Sequence, residues 1–179
     1  MTLQTFLLKN GTIIDGTGAG AYTGDLLIKD GKIEAVSGRG IPAEAKTLDC
    51  TGKVVAPGFI DMHSHNDWFL PNAGRPEFTL PFTEQGITTF VGGNCGFSAA
   101  GMAEDSAYKT FIEENNLFQA GTPALKWASF AQYKAHLESQ GITHNLALLA
   151  GHGTARASLF GWDPAPLSPD RMRRLERIL

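Results

Sequence analysis

The sequence predicts an α/β protein: a small β domain over residues 1–55, then a parallel-sheet domain over residues 56–179. Three observations carry that reading. Short β-prone segments separated by turn dipeptides fill the first part of the chain. Strands alternate with helical segments after Pro57. The first of those strands ends in the histidine pair of "FIDMHSHND".

In the first part, "TFLLKNGTIIDGTG", "GDLLIKDGKIEAVSG" and "KTLDCTGKVVAPG" each join a β-prone segment to a turn signal, Asn10-Gly11, Asp30-Gly31 and Thr51-Gly52. All three read as hairpins. Asp30-Gly31 is the clearest, because a type I′ turn needs positive φ at both central residues and this dipeptide adopts it at little cost.

Val54 to Met62 reads as a strand, Glu77 to Gln85 as helical, and Ile87 to Val91 as a second strand, which makes a βαβ unit. Residues 103–120 are polar with helical tendency and form an excursion before the next repeat. Ser129 to Gln140 places Phe130, Tyr133 and Leu137 at helical spacing and stops at Gly141. Asn145 to Ala150, "NLALLA", is continuously apolar, as buried parallel strands are. Ser168 before Pro169 signals a helix N-cap, with Met172, Leu175 and Ile178-Leu179 on one face, a pattern that runs to the last residue.

Composition narrows the function classes. The chain has 179 residues, 42% hydrophobic and 18% charged, with a formal net charge of -3. No basic field for nucleic acid exists. The one cationic cluster, Arg171, Arg173, Arg174 and Arg177, reads as a solvated helix face. No apolar run approaches a membrane span, no secretion signal is evident, and Cys50 and Cys95 make no disulfide framework, so the expected location is cytoplasmic.

His63 and His65 stand at i and i+2, so in an extended strand both project to one side and can share a metal ion. An arbitrary HxH is more often a pair of core or surface histidines. The context "VVAPGFIDMHSH" favours the metal: an apolar strand, a Pro-Gly entry and Asp61 before the first histidine match the first strand of a (β/α)8 barrel, with ligands at its catalytic rim. Cys95 lies in "GGNCG" after the second strand, where a lone cysteine is ordinarily a small buried hydrophobe, and Cys50 reads as structural.

"APGFIDMHSHND" resembles the first barrel strand of the amidohydrolase superfamily. "GITTFVGGNCGFS" is similar to the second strand and loop of its D-aminoacylase branch, the N-acyl-D-amino-acid deacylases, and "SFAQYKAHLESQGITHNLALLAGHGTAR" to that branch's next helix, third strand and following loop. The resemblance implies a metal-dependent hydrolase with a TIM barrel, of which this chain holds about the first three strands, preceded by part of a composite β-sandwich domain. It further implies one or two zinc ions with His63, His65 and Cys95 as ligands, the cysteine holding the tighter ion, and an N-acyl-D-amino acid as substrate.

Asp67 continues an H-x-H-x-D pattern; it either orients His65 or a neighbouring loop from behind the ligands, or is a solvated loop aspartate or helix cap. His152 and Arg156 follow the third strand as site-shaping residues, unless Gly151 and Gly153 merely make a turn. His136 and His144 are not ligand candidates. The general base, the remaining ligands and the binders of the substrate carboxylate are expected in the remainder of the barrel, in the same or another polypeptide. Two alternatives stand beside this reading: a ring-opening amidohydrolase of the dihydroorotase or hydantoinase type, and a non-catalytic metal-binding scaffold. The ring-openers typically carry an arginine after the HxH, where this chain has Asn66, Asp67 and Trp68.

Overall fold

In this computed structural model, which describes residues 4–38, 40–72, 74–115, 118 and 124–179, the chain divides between Pro57 and Gly58 into two units. The first holds a single five-stranded sheet: β1 (Phe6–Ile13), β2 (Tyr22–Lys29), β3 (Lys32–Ser37), β4 (Lys46–Asp49) and β5 (Val54–Val55). Its order is β3-β2-β1-β4, with β5 also pairing β1. The Asp30-Gly31 hairpin forms as expected, with φ of 51° and 74°.

The other two turn signals do different work. Asn10-Gly11 stays inside β1, where the register against β2 shifts between Leu8 and Gly11 and Asn10 adopts φ of 60°. This is a bulge rather than a reversal. Two carboxylates hold it: the Asn10 amide donates to Asp25 (3.0 Å) and its side chain to Asp49 (3.2 Å). Thr51-Gly52 joins β4 to β5, and both run parallel to β1, so the turn is a loop-out along one edge. A hairpin would have required antiparallel pairing between the two.

Leu7, Ile13 and Leu26 of this sheet are buried, Leu26 pairing with Leu8 and Leu7 with Leu27, so that Leu7 and Leu26 point to opposite faces. An apolar hollow lined by Leu8, Ile14, Ile28, Ile33, Val36 and Val55 lies on the sheet, and the first unit holds no second sheet among the described residues.

The expected strand Val54–Met62 is two strands. Val54–Val55 belongs to the first sheet, and β6 (Phe59–Asp61) opens the second, after Ala56-Pro57-Gly58. Proline has no N–H to give either ladder, and the second one starts only where the Phe59 amide donates to Gly86 (2.9 Å). β6, β7 (Ile87–Gly92) and β8 (Asn145–Leu148) form a parallel sheet in that order. The helical segment between β6 and β7 is a 3-10 turn at Pro76–Phe78 followed by α1 (Leu80–Glu84). Between β7 and β8 run α2 (Lys109–Asn115) and α3 (Phe130–Gln140); of the excursion expected over 103–120, residues 116, 117, 119 and 120 lie outside the described residues.

Ser129 caps α3 in a reciprocal box with Gln132. After β8 comes α4 (His152–Phe160), where a loop was expected, and then α5 (Pro169–Glu176), capped by Ser168. Leu175 of α5 is buried, whereas Ile178 and Leu179 lie beyond the helix. Its arginines are not all free in solvent: Arg171 pairs with Asp163 (3.0 Å) and lies over the Phe160 ring. No described helix is long and apolar enough to cross a membrane.

The core of the second unit gathers Trp68, Leu70, Phe90, Trp127, Tyr133 and Leu137, each worth roughly 2 kcal/mol in burial. Two hydrogen bonds inside it aim the loops above the sheet. Trp127 Nε1 donates to the Ala99 carbonyl (2.7 Å), and Tyr133 Oη donates to the Asp67 carbonyl (2.6 Å). By contrast, Phe59, Ile60 and Met62 at β6 are 65%, 56% and 67% exposed.

Replacing Tyr133 by Phe removes the donor but not the ring, and leaves the buried Asp67 carbonyl unpaired. The expected loss is about 1–2 kcal/mol of stability, read as a lower urea midpoint at unchanged slope.

Candidate metal centre

Two turns meet at the C-terminal ends of β6 and β7. In the first, the Asp61 carboxylate accepts the His63 amide (3.1 Å), the Ser64 amide donates to the Val91 carbonyl of β7 (3.1 Å), and Ser64 Oγ accepts the Asn66 amide (2.9 Å). His63 and His65 therefore sit just beyond the strand, not within it as the i, i+2 argument supposed. Their rings still converge, edge to face, with centroids 6.0 Å apart.

The second turn is "GGNCG". Gly93 has φ of 76°, and a Cβ there would fall 2.1 Å from the Leu149 carbonyl oxygen, so only glycine fits. Asn94 then ties the two turns together, its Nδ2 donating to Val91 O (2.7 Å) and Ser64 O (3.2 Å). Cys95 follows in the left-handed region, with φ of 55°. Such a conformation costs a non-glycine residue about 1 kcal/mol or more and is concentrated at functional sites. It also leaves Cys95 exposed, so the reading of a buried hydrophobe is wrong, while Cys50 is buried as expected.

The turn delivers Cys95 Sγ to 3.2 Å from His63 Nε2. The ligand atoms of His63, His65 and Cys95 all lie within 4.8 Å of one another. A tetrahedral zinc site with Zn–N near 2.0 Å and Zn–S near 2.3 Å has edges of roughly 3.5 Å, so this cluster needs only small side-chain adjustments to close on one ion. The donor set, one thiol and two imidazoles, suits zinc and related soft or borderline cations. His65 Nδ1 is buried without a hydrogen-bond partner among the described residues, and its ring stacks on Phe118 at 3.9 Å and 15°. Burial, with a contribution from the neighbouring His63, holds the His65 pKa below its ordinary value, which favours the neutral, ligating imidazole.

Asp67 is neither solvated nor bonded to His65. It is fully buried, and its Oδ2 accepts the Ala99 amide (2.9 Å), so it acts on the neighbouring loop. Burial raises its pKa to about 6, opposed in part by the amides of Ala99 and Gly93. His152 is exposed at the first position of α4. Arg156 lies on the same helix, and its Nη2 donates to the Asp163 (2.7 Å) and Ala165 (2.6 Å) carbonyls, tying down the loop after α4. Neither joins the metal cluster. Gly151 does more than turn the chain: its amide donates to Ser98 Oγ (3.0 Å), and a Cβ there would lie 2.5 Å from the Ser98 nitrogen. Glycine thus lets α4 dock on the loop behind Cys95. Sequence reasoning missed Asn94 and Phe118, whose roles depend on partners distant along the chain; His136 and His144 lie outside the cluster.

A model of the amidohydrolase family matches residues 46–177. The chain is 34% identical over 175 residues to an N-acyl-D-aspartate deacylase of Alcaligenes xylosoxydans xylosoxydans, covering 97% of this chain and 33% of that protein. It resembles the crystal structure of an N-acyl-D-glutamate deacylase from Bordetella bronchiseptica, solved with zinc and a phosphonate inhibitor, at 33% identity and a TM-score of 0.74 over 100% of this chain and 36% of that one. A D-aminoacylase structure with a binuclear metal centre gives 30% identity and a TM-score of 0.77, over 97% and 35%. The chain spans about a third of the length of these relatives.

Two measurements check the electrostatics and strain described above. Between pH 3.8 and about 6 the folded chain holds the Asp67 proton while the unfolded chain releases it, so stability falls as pH rises through that window, by up to roughly 3 kcal/mol. Denaturation midpoints of wild type and Asp67→Asn across pH 4–8 are expected to show that fall in the wild type only. Cys95→Gly relieves the left-handed strain and is expected to raise stability by about 1 kcal/mol, read from unfolding curves of the two proteins.

Proposed function

Because this chain belongs to the amidohydrolase family, we propose that its protein is a zinc-dependent hydrolase cleaving the amide bond of N-acyl-D-amino acids. The observation that carries the proposal is the convergence of His63, His65 and Cys95, in a chain whose relatives include N-acyl-D-aspartate and N-acyl-D-glutamate deacylases. In this reading the second unit is the start of a (β/α)8 barrel, and the first is one layer of a β-sandwich. The exposed apolar residues of β6 and the hollow on the first sheet support it, being surfaces that further strands and helices would cover.

His63, His65 and Cys95 would hold one or two divalent ions, which when bound would supply the Lewis acidity for activating water near neutral pH and polarising an amide carbonyl. The chain's own residues prepare the place. Asp61 fixes the His63 backbone, Asn94 locks the two turns, and Cys95 gives up its thiol proton when it ligates. The general base and the groups that hold the substrate carboxylate come from the remainder of the barrel, so the 179 residues alone are inactive. Asn66, Asp67 and Trp68 follow the HxH, where the ring-openers typically carry an arginine, and this disfavours the hydantoinase alternative. The unpaired Cys50 and Cys95 support a reducing, cytoplasmic location.

The test is hydrolysis by the full-length protein of enantiomeric pairs of N-acetyl amino acids, including aspartate and glutamate. The D-form is expected to be preferred by roughly a hundredfold or more. A strong chelator should remove the activity and zinc restore it. Turnover of dihydroorotate or hydantoins, with none of acylated D-amino acids, would overturn the assignment.

A further inference from the structure

The two histidines of the candidate centre are held in different ways. His63 is anchored at both ends, its amide on Asp61 and its Nε2 against Cys95 Sγ. No hydrogen bond among the described residues holds the His65 ring, and its Nδ1 is buried without a partner. A metal-ligating imidazole is normally fixed by a hydrogen bond from its second nitrogen to a carboxylate, carbonyl or water, which sets the ring plane. The buried carboxylate of this unit among the described residues, Asp67, accepts the Ala99 amide instead.

What does hold the ring is Phe118. The two rings lie nearly parallel, 15° apart, with centroids 3.9 Å apart, and Phe118 also packs against the core cluster of Trp68, Phe90 and Trp127. A ring anchored in the core and lying flat on the imidazole blocks rotation out of plane, and it keeps water from that face.

We infer that Phe118 is a positioning residue for the metal centre, its stacked ring doing for His65 what a hydrogen-bonding partner does for most ligating histidines. The inference rests on the reading of His63, His65 and Cys95 as the metal site. It assigns to the excursion between β7 and β8 a part in ligand geometry that its sequence does not announce.

The experiment is a double-mutant cycle on the full-length protein, with cobalt(II) as the probe, reading its affinity and its visible absorption bands. Phe118→Leu, which keeps apolar bulk but loses the flat face, is expected to weaken cobalt binding about tenfold and shift the bands, whereas Phe118→Tyr stays within about twofold of wild type. In the His65→Ala background, Phe118→Leu should cause no further loss. Thermal midpoints of every variant separate this from a general packing role, and Phe118→Met serves in the cycle should Phe118→Leu fail to fold. An equal loss of affinity in both backgrounds, or none in either, would overturn the role of Phe118 while leaving the centre standing. A wild-type protein that binds no cobalt would overturn the centre and the inference together.

Discussion

The candidate centre depends on the seam between the ends of β6 and β7. Parallel pairing sets the two strand ends side by side, and the hydrogen bonds around Val91 and Ser64 then lock one turn to the other. The Val91 carbonyl accepts both the Ser64 amide and the Asn94 side chain, and Asn94 also reaches the Ser64 carbonyl. His63 and Cys95, 32 residues apart in the chain, meet only because of this seam. Were the register to slip by one residue, the turns would no longer face each other.

Holding the seam requires conformations that the backbone does not prefer. Gly93, Cys95 and Gly96 all take positive φ within four residues. For the glycines this is cheap, but Cys95 has a Cβ and stays there because its neighbours are fixed on both sides. The loop that follows is clamped from behind: Ser98 exchanges hydrogen bonds with Thr154 on α4, Ala99 bonds Asp67 and Trp127, and Tyr133 on α3 holds the Asp67 carbonyl. A buried carboxylate is an expensive part of such a clamp, which is why Asp67 holds its proton to a higher pH than an exposed aspartate does. Strain at the thiol is thus balanced by packing one layer away, an arrangement common where geometry matters more than stability.

The surfaces left open have a physical logic of their own. Parallel sheets are stable when both faces and both edges are covered. Here β6 and β8 each have one unpaired edge among the described residues, and apolar side chains of β6 stand in the open. The first sheet has the same character, with Ile33, Leu48 and Val54 exposed. Both units therefore bury their own seams well and present apolar faces to whatever packs on them.

The sequence by itself determined what local chemistry can specify. Asp30-Gly31 makes its hairpin because the two residues alone favour positive φ; Ser129 and Ser168 start their helices because a cap needs only the next three residues. The HxH in its context "VVAPGFIDMHSH" put His63 and His65 forward as a candidate metal pair, and resemblance to a known family added Cys95. Tertiary structure decided the rest. Asn10-Gly11 had the same signature as a hairpin turn, yet it is a bulge, because Asp25 and Asp49 on the neighbouring strands reward that geometry. "GHGTAR" looked like a loop, yet it opens a helix, because Gly151 can press against Ser98. Asn94 and Phe118 carried no signal at all: an amide between two turns and a ring on a histidine acquire meaning only from partners far away in sequence, and long-range packing, not local preference, brings those partners within reach.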